Sequence, residues 1–282
     1  MITCAASLAR DTKPHPVRQR HLHRIVGLAL AGTLATGSAL AADMPMKAPA
    51  APTYQWSGCY LGLNAGGGGS ASNFSSTVDP GTYLLGGDPA LVGTNAAGSH
   101  NDTDFLGGGQ AGCNLQSGLL VFGLEGDFDY FHSNPTFTNG AGPAVGPLTL
   151  STGVPFTVTQ SLTTNYLATV RPRIGVAADR NFAYITGGAA FTTASYTQSY
   201  ADGAGATGIA TGSKFLTGWT AGVGWEYAWA DHWTFKLEYL LASFPTTSAL
   251  GAITEPGVGA NTLHGSADLV IQLVRAGVNF KF

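Results

Sequence analysis

Residues 268–282 read DLVIQLVRAGVNFKF. From Val274 the positions sort by parity. Val274, Ala276, Val278, Phe280 and Phe282 make one face, and Arg275, Gly277, Asn279 and Lys281 make the other. A period of two belongs to a β-strand with one apolar and one polar face. Soluble sandwiches contain such strands too, so the second face decides. Gly, Asn and charge fill a dry core poorly, but they suit the inside of a membrane barrel whose outer face meets lipid. The strand also stops directly after an aromatic, with no polar tail.

Composition points the same way. Of 282 residues, 10% are charged and 40 are Gly, and mean hydropathy is +0.13. So little charge is unusual for a soluble enzyme, while the aromatic and β-branched content argues against disorder. After residue 42 no run reaches the ~18 uninterrupted apolar residues of a membrane helix. A membrane protein without such helices has to be a closed barrel, because only helices and barrels satisfy their backbone in lipid.

Residues 1–41 read as a signal peptide. Arg10, Lys13, Arg18, Arg20 and Arg24 precede a short apolar run at 25–34, and Ser38-Ala39-Leu40-Ala41 supplies a small-x-small cleavage pattern. Its removal leaves eight basic and fifteen acidic residues, a net charge of −7. That balance, with no basic patch, argues against nucleic acid as a partner. Residues 42–56 are Pro- and Ala-rich and read as a periplasmic linker. Residues 57–282 are left for the barrel.

Alternation and turn residues place strands at 59–68, 105–115, 119–130, 163–176, 183–195, 215–229, 233–242 and 268–282. The connections alternate in length. Those at 116–118, 179–181 and 230–232 are short, and those at 69–104, 131–162, 196–214 and 243–267 are long and rich in Gly, Ser, Thr, Asn and Pro. Outer-membrane barrels have this asymmetry, with short periplasmic turns and longer extracellular loops. Both termini then lie in the periplasm. The expected fold is all-β: an eight-stranded antiparallel up-and-down transmembrane β-barrel preceded by a signal peptide.

Several motifs carry a resemblance. WSGCYLGLNAGGG (56–68) resembles the opening strand of the outer-membrane immunogenic protein family, OmpA-like eight-stranded barrels found chiefly in alphaproteobacteria. GGGQAGCNLQSGLLVFGLEGDFDY (107–130), TVRPRIG (169–175), FAYITGGAAF (182–191), GWTAGVGWEYA (218–228), WTFKLEYL (233–240) and VRAGVNFKF (274–282) resemble its later strands, in order. The resemblance implies a surface antigen in the cell outer membrane, in contact with lipid and lipopolysaccharide. It also implies that Phe280 and Phe282 form a C-terminal signal for the outer-membrane barrel assembly machinery.

An eight-stranded barrel is just wide enough for side chains to fill it. Glu125, Asp127, Arg171, Arg173, Glu226, Lys236, Glu238 and Arg275 all fall on the face opposite the apolar one of their strands. At mid-membrane a charge facing lipid costs ~2–4 kcal/mol, so these residues are expected to point inward and pair as a lumen charge network. Pro172 falls on the lipid side between two of them and removes one ladder donor. Paired carboxylates also serve acid–base chemistry, but no Ser-His-Asp order, metal cluster or phosphate loop accompanies them. No catalytic residue, metal or cofactor is therefore expected.

Cys59 and Cys113 come to the same end of the first hairpin, where the resembling family usually has aromatics. In the oxidising periplasm they are candidates for a disulfide, with two free buried thiols as the alternative. Three functional classes stay open. The first is a structural surface protein, serving as antigen and for envelope integrity, with a plugged lumen. The second is a low-conductance porin for ions or small solutes. The third is a surface haem binder using His100, His132 and His264, or a lipid-modifying enzyme built on His132 near Asp129.

Overall fold

The computed structural model describes residues 53–139 and 148–282. The expected signal peptide and residues 42–52 of the linker lie outside the described residues. Among the described residues ten strands and one helix follow in order: β1 (Gly58–Val78), α1 (Asp88–Asn95), β2 (Gly98–Ser117), β3 (Leu120–Ser133), β4 (Thr136–Asn139), β5 (Leu148–Thr149), β6 (Pro155–Ala178), β7 (Asn181–Asp202), β8 (Thr207–Ala228), β9 (Trp233–Glu255) and β10 (Gly259–Lys281). Eight of them close a ring through antiparallel neighbours, β3-β2-β1-β10-β9-β8-β7-β6, with β3 returning to β6. The short β4 and β5 add to the side of β6. The C-terminal strand closes the ring as the eighth stave, in a register that sets Leu61 against Phe280 and Gly66 against Arg275.

The strands are far longer than alternation alone indicates. Apart from β3, the ring strands run 20 to 24 residues, whereas a tilted strand crosses a bilayer in ~9–11. An exposed apolar band covers one end. It runs from Trp229, Trp233 and Phe280 up to Phe105, Tyr130, Phe215 and Trp219. Stacked pairs Phe128–Tyr166 and Phe191–Phe215 mark its upper edge. Above that edge the cylinder continues, and most of what reads as long loops is strand. His100, His132 and His264, expected in loops, lie in β2, β3 and β10.

Two of the upper connections, β7–β8 and β9–β10, are tight. Glu255-Pro256-Gly257-Val258 is a four-residue turn in which the Val258 amide donates to Glu255 at 3.1 Å. Gly257 there sits at φ +81°, the conformation that a Pro-Gly turn demands of its third residue. Residues 203–206 make the corresponding turn between β7 and β8, closed by the Gly205 amide on the Asp202 carbonyl at 3.3 Å.

Four of the eight ring seams shift register at one level, just above the apolar band. The shifts fall between Tyr130 and Ser133, Thr164 and Ala168, Ala210 and Trp219, and Ala267 and Leu269. Such bulges bend strands and raise their twist. Pro172 leaves β6 unbroken. The register with β7 is unchanged from Val170↔Ala189 to Arg173↔Thr186, and the Thr186 hydroxyl donates to the Pro172 carbonyl at 2.9 Å.

Candidate functional site

The interior is the chemically distinctive part of the molecule, and it is filled in four storeys. The lowest is a cork. Tyr54 and Trp56 turn back into the barrel mouth against Val121, Ala177, Phe182, Tyr184 and Ala228. The Trp56 amide donates to the Gln116 side chain at 2.7 Å and its indole N–H donates to the Asp179 carbonyl at 3.1 Å. The Lys281 ammonium lies 4.2 Å from the Tyr54 ring centroid. The end of the expected linker is therefore not a free tether. An aromatic residue gains more by filling the mouth than by remaining in water.

The charged belt lies above the cork. Every residue of the lumen network read from the sequence points inward, together with Asp129. Glu125 meets Arg171 at 2.8 Å, Lys236 at 2.8 Å and Arg173 at 3.3 Å. Asp127 meets Arg171 at 2.8 Å and Arg275 at 3.1 Å. Glu238 meets Arg275 at 2.7 Å and Arg171 at 3.2 Å. Glu226 meets Arg173 at 3.2 Å, and Asp129 pairs with Arg275.

Neutral donors complete the carboxylates. Tyr60 donates to Glu125, Tyr184 to Glu238 and Thr169 to Asp127. The Arg173 guanidinium stacks 4.8 Å from the Tyr60 ring and 5.1 Å from the Tyr184 ring. A buried ion is costly unless its remaining lone pairs and protons also find partners; the tyrosines supply them for Glu125 and Glu238, while Asp129 Oδ1 and Arg173 Nη2 are left without one among the described residues. The sequence reading missed the tyrosines. Their signal was parity, since Tyr60 precedes Gly62 and Asn64 on the inward face, and Tyr184 precedes Thr186.

The third storey is apolar. Leu273, Ile271 and Leu269 continue the inward face of β10 above Arg275, opposite Leu240, Phe244 and Phe131. The Gln198 amide there donates to Ser76 at 2.8 Å, whereas the buried Ser72 hydroxyl has no partner among the described residues.

The fourth storey is a lid made by residues 79–97 and α1. Pro89 opens the helix with Asp88 in its first turn. The Asp88 carboxylate accepts from the Ser151 amide and hydroxyl, each at 2.8 Å. Val92 and Ala96 are fully buried beneath the helix. Tyr83 and Tyr200 both donate to Asp202. Burial, helped by the Asp202 carboxylate, holds both phenols above their ordinary range, so they keep their donor protons.

The remaining candidates do not converge. His132 bonds Asn165 at 2.8 Å on the outside, whereas Asp129 of the same strand is buried inside on Arg275. An offset of three residues puts the two on opposite faces, so no lipid-modifying pair forms. His264 is held by Asp79 at 2.8 Å. Phe280 and Phe282 are exposed on the outer face, and the Phe282 amide donates to the Cys59 carbonyl at 3.1 Å.

Cys59 and Cys113 are direct partners across β1 and β2 and are joined by a disulfide, with Cα atoms 4.0 Å apart. The bond closes a loop of 54 residues. Its removal in a Cys59→Ala, Cys113→Ala variant is expected to cost ~2–4 kcal/mol, read as a lower urea midpoint. Non-reducing mass spectrometry checks the linkage, and two free thiols would remove this staple.

The chain is similar to known proteins along most of its length. The family model described as outer membrane protein beta-barrel domain covers residues 33–282. The 31 kDa outer-membrane immunogenic protein of Brucella melitensis biotype 1 is 32% identical over 269 residues, spanning 92% of this chain and 99% of its own. The 25 kDa outer-membrane immunogenic protein of Brucella abortus biovar 1 is 24% identical over 257 residues, spanning 90% and 93%. Among solved structures, the outer membrane protein OprG of Pseudomonas aeruginosa is similar with a TM-score of 0.40 at 12% identity, over 81% of this chain and 99% of that one. With its closed ring and relatives that match along nearly its whole length, the chain belongs to the outer-membrane β-barrel family, among the outer-membrane immunogenic proteins.

Proposed function

We propose that this protein is a structural, surface-exposed barrel of the outer membrane whose lumen is closed to solutes. In this reading both termini lie in the periplasm, and the emergent half of the cylinder faces outward as an antigenic surface. The barrel contributes to envelope integrity by filling and stiffening the membrane. Phe282 and Phe280 present the terminal signal to the barrel assembly machinery, and lipid and lipopolysaccharide surround the wall.

One observation supports the closed lumen: cork, charged belt, apolar storey and lid succeed one another along the interior. Arg171 and Lys236 have no exposed surface at all. An ion entering would have to displace Glu125, Asp127 and Glu238, which each already hold at least two cationic partners, and then cross a layer of Leu, Ile and Phe. The relatives' names describe them as immunogenic, which fits the antigen part of the proposal. Planar-bilayer recording on the purified protein at neutral pH is expected to show no stable conductance steps. Large, long-lived openings would overturn the proposal in favour of a narrow porin.

A further inference from the structure

Above the apolar band, the outer wall is chemically two-sided. On β4, β6, β7 and β8 the outward positions form rows of hydroxyls in register. Thr136, Ser161, Thr197 and Thr211 are consecutive cross-strand partners. Thr138, Thr159 and Ser199 form a second row, and Thr163, Ser195 and Ser213 a third. Some hydroxyls join one another, Thr138 to Thr159 at 3.1 Å and Ser195 to Ser213 at 3.0 Å. A hydroxyl can donate once and accept twice, so each keeps hydrogen-bonding capacity beyond these contacts. Among the described residues no carboxylate faces outward from these rows, and Lys214 stands at their β8 edge.

The β1–β2–β10 side at the same level is acidic. Asp79 is paired with His264, Asp268 accepts from the Asn73 amide at 2.7 Å, and Asp102 accepts from the Asn134 amide at 2.9 Å.

We propose that the hydroxyl rows of β6, β7 and β8 are a docking surface for the neutral saccharide of the outer-leaflet glycolipid. The inference rests on the orientation given above, with the emergent half outside the cell. Position is the first argument. The rows begin directly above the Phe128–Tyr166 and Phe191–Phe215 pairs, where acyl chains give way to sugar, so the surface continues an interface that already touches the same molecules.

Chemistry is the second argument. Ser and Thr donate and accept without charge, as sugar hydroxyls do. The rows repeat at ~4.8 Å across strands and ~6.7 Å along them, so a pyranose meets donors and acceptors on more than one strand. Among the described residues, phosphates and acidic sugars find no fixed cation there beyond Lys214, and they are repelled from the opposite face by its carboxylates.

Single cysteines at Thr197 (T197C) and, on the acidic side, Ser75 (S75C) test this in the full-length protein with the native disulfide kept. Intact cells are treated with a membrane-impermeant maleimide in two strains, one with full-length saccharide and one with glycolipid truncated to its lipid anchor. T197C is expected to react readily in the truncated strain and about tenfold more slowly in the full-length one, since reactivity follows the uncovered fraction. S75C is expected to change less than about threefold by the same reasoning.

Adding Thr211→Asp, on the cross-strand partner of Thr197, is expected to restore T197C reactivity in the full-length strain towards its value in the truncated one. Failure of T197C to react even in the truncated strain would refute the orientation and the docking surface together. Equal reactivity of T197C in both strains would refute the docking surface alone. So would equal slowing of both sites, or slowing indifferent to Thr211→Asp, because either reports only crowding. Protection that tracks protein density instead of saccharide length would assign the face to a second copy of this chain and overturn the proposal.

Discussion

Arg275→Ala is expected to lower the unfolding free energy by ~3–5 kcal/mol, the range found when one partner of a buried ion pair is removed. Arg275 is the hub of the belt. Its guanidinium reaches Asp127 at 3.1 Å, Glu238 at 2.7 Å and also Asp129, with 1% of the residue exposed. Without it, five buried carboxylates face Arg171, Arg173 and Lys236 alone, and Asp129 loses the only cation it pairs with among the described ion pairs. Arg275→Lys keeps the charge but loses the planar fork that serves several carboxylates at once, so a smaller loss of ~1–3 kcal/mol is expected. Urea titration of the refolded barrel, followed by tryptophan emission, measures both. A loss under ~1 kcal/mol for the alanine variant would mean that the belt behaves as a solvated surface pair and that the lumen is wet.

The second large effect concerns closure. Gly66→Val is expected to prevent the ring from closing, at a cost on the order of 3 kcal/mol or more. Gly66 faces inward opposite Arg275 on the β1–β10 seam. A Cβ there would stand 2.1 Å from the Val274 carbonyl oxygen and 2.7 Å from the Arg275 Cα. Both are backbone atoms of the closing strand, so neither can move aside without parting the seam. Gly67 faces outward, where a Cβ would find its nearest neighbour at 4.0 Å. Gly67→Ala is therefore expected to stay within ~0.5 kcal/mol of the parent. The readout is heat-modifiable gel mobility, since a folded barrel runs differently before and after boiling. A Gly66→Val protein that keeps two mobilities would show that the seam tolerates a side chain, and the close strand approach would then need another account.

The membrane half was legible because its two faces contrast so strongly. Glu125, Asp127 and Asp129 alternate with Leu124, Phe128 and Tyr130, and Arg275 alternates with Val274 and Ala276. The upper half has no such contrast. Tyr196-Thr197-Gln198-Ser199-Tyr200 keeps a period of two, but it alternates large buried polar residues with small exposed ones, and a search for apolar alternation passes over it. Leu269-Val270-Ile271-Gln272-Leu273 lies within the expected 268–282 strand, but the inward positions Leu269, Ile271 and Leu273 are apolar and the outward ones are Val270 and Gln272, so the contrast seen from Val274 is lost where the interior changes from charge to hydrocarbon. Two local signals were present and unused: the Pro-Gly turn at 256–257 and Pro89 after an acidic helix start. The sealing role of Tyr54 and Trp56 was hidden by their surroundings, since a Pro- and Ala-rich run disguises the two aromatics that fill the mouth.

The level of register shifts has a further consequence. Ladder hydrogen bonds are interrupted on four seams at the same height, so the cylinder has a fault line where lipid support ends. Below it, amides are shielded by bilayer and tied to the ion-paired interior. Above it, they depend on a water-surrounded wall over a Leu- and Tyr-lined core. Native-state hydrogen exchange should therefore resolve two cooperative units within this single sheet, the upper one opening at lower free energy. The exposed crown could then breathe, or diverge in sequence, without loosening the ring that holds the protein in the membrane.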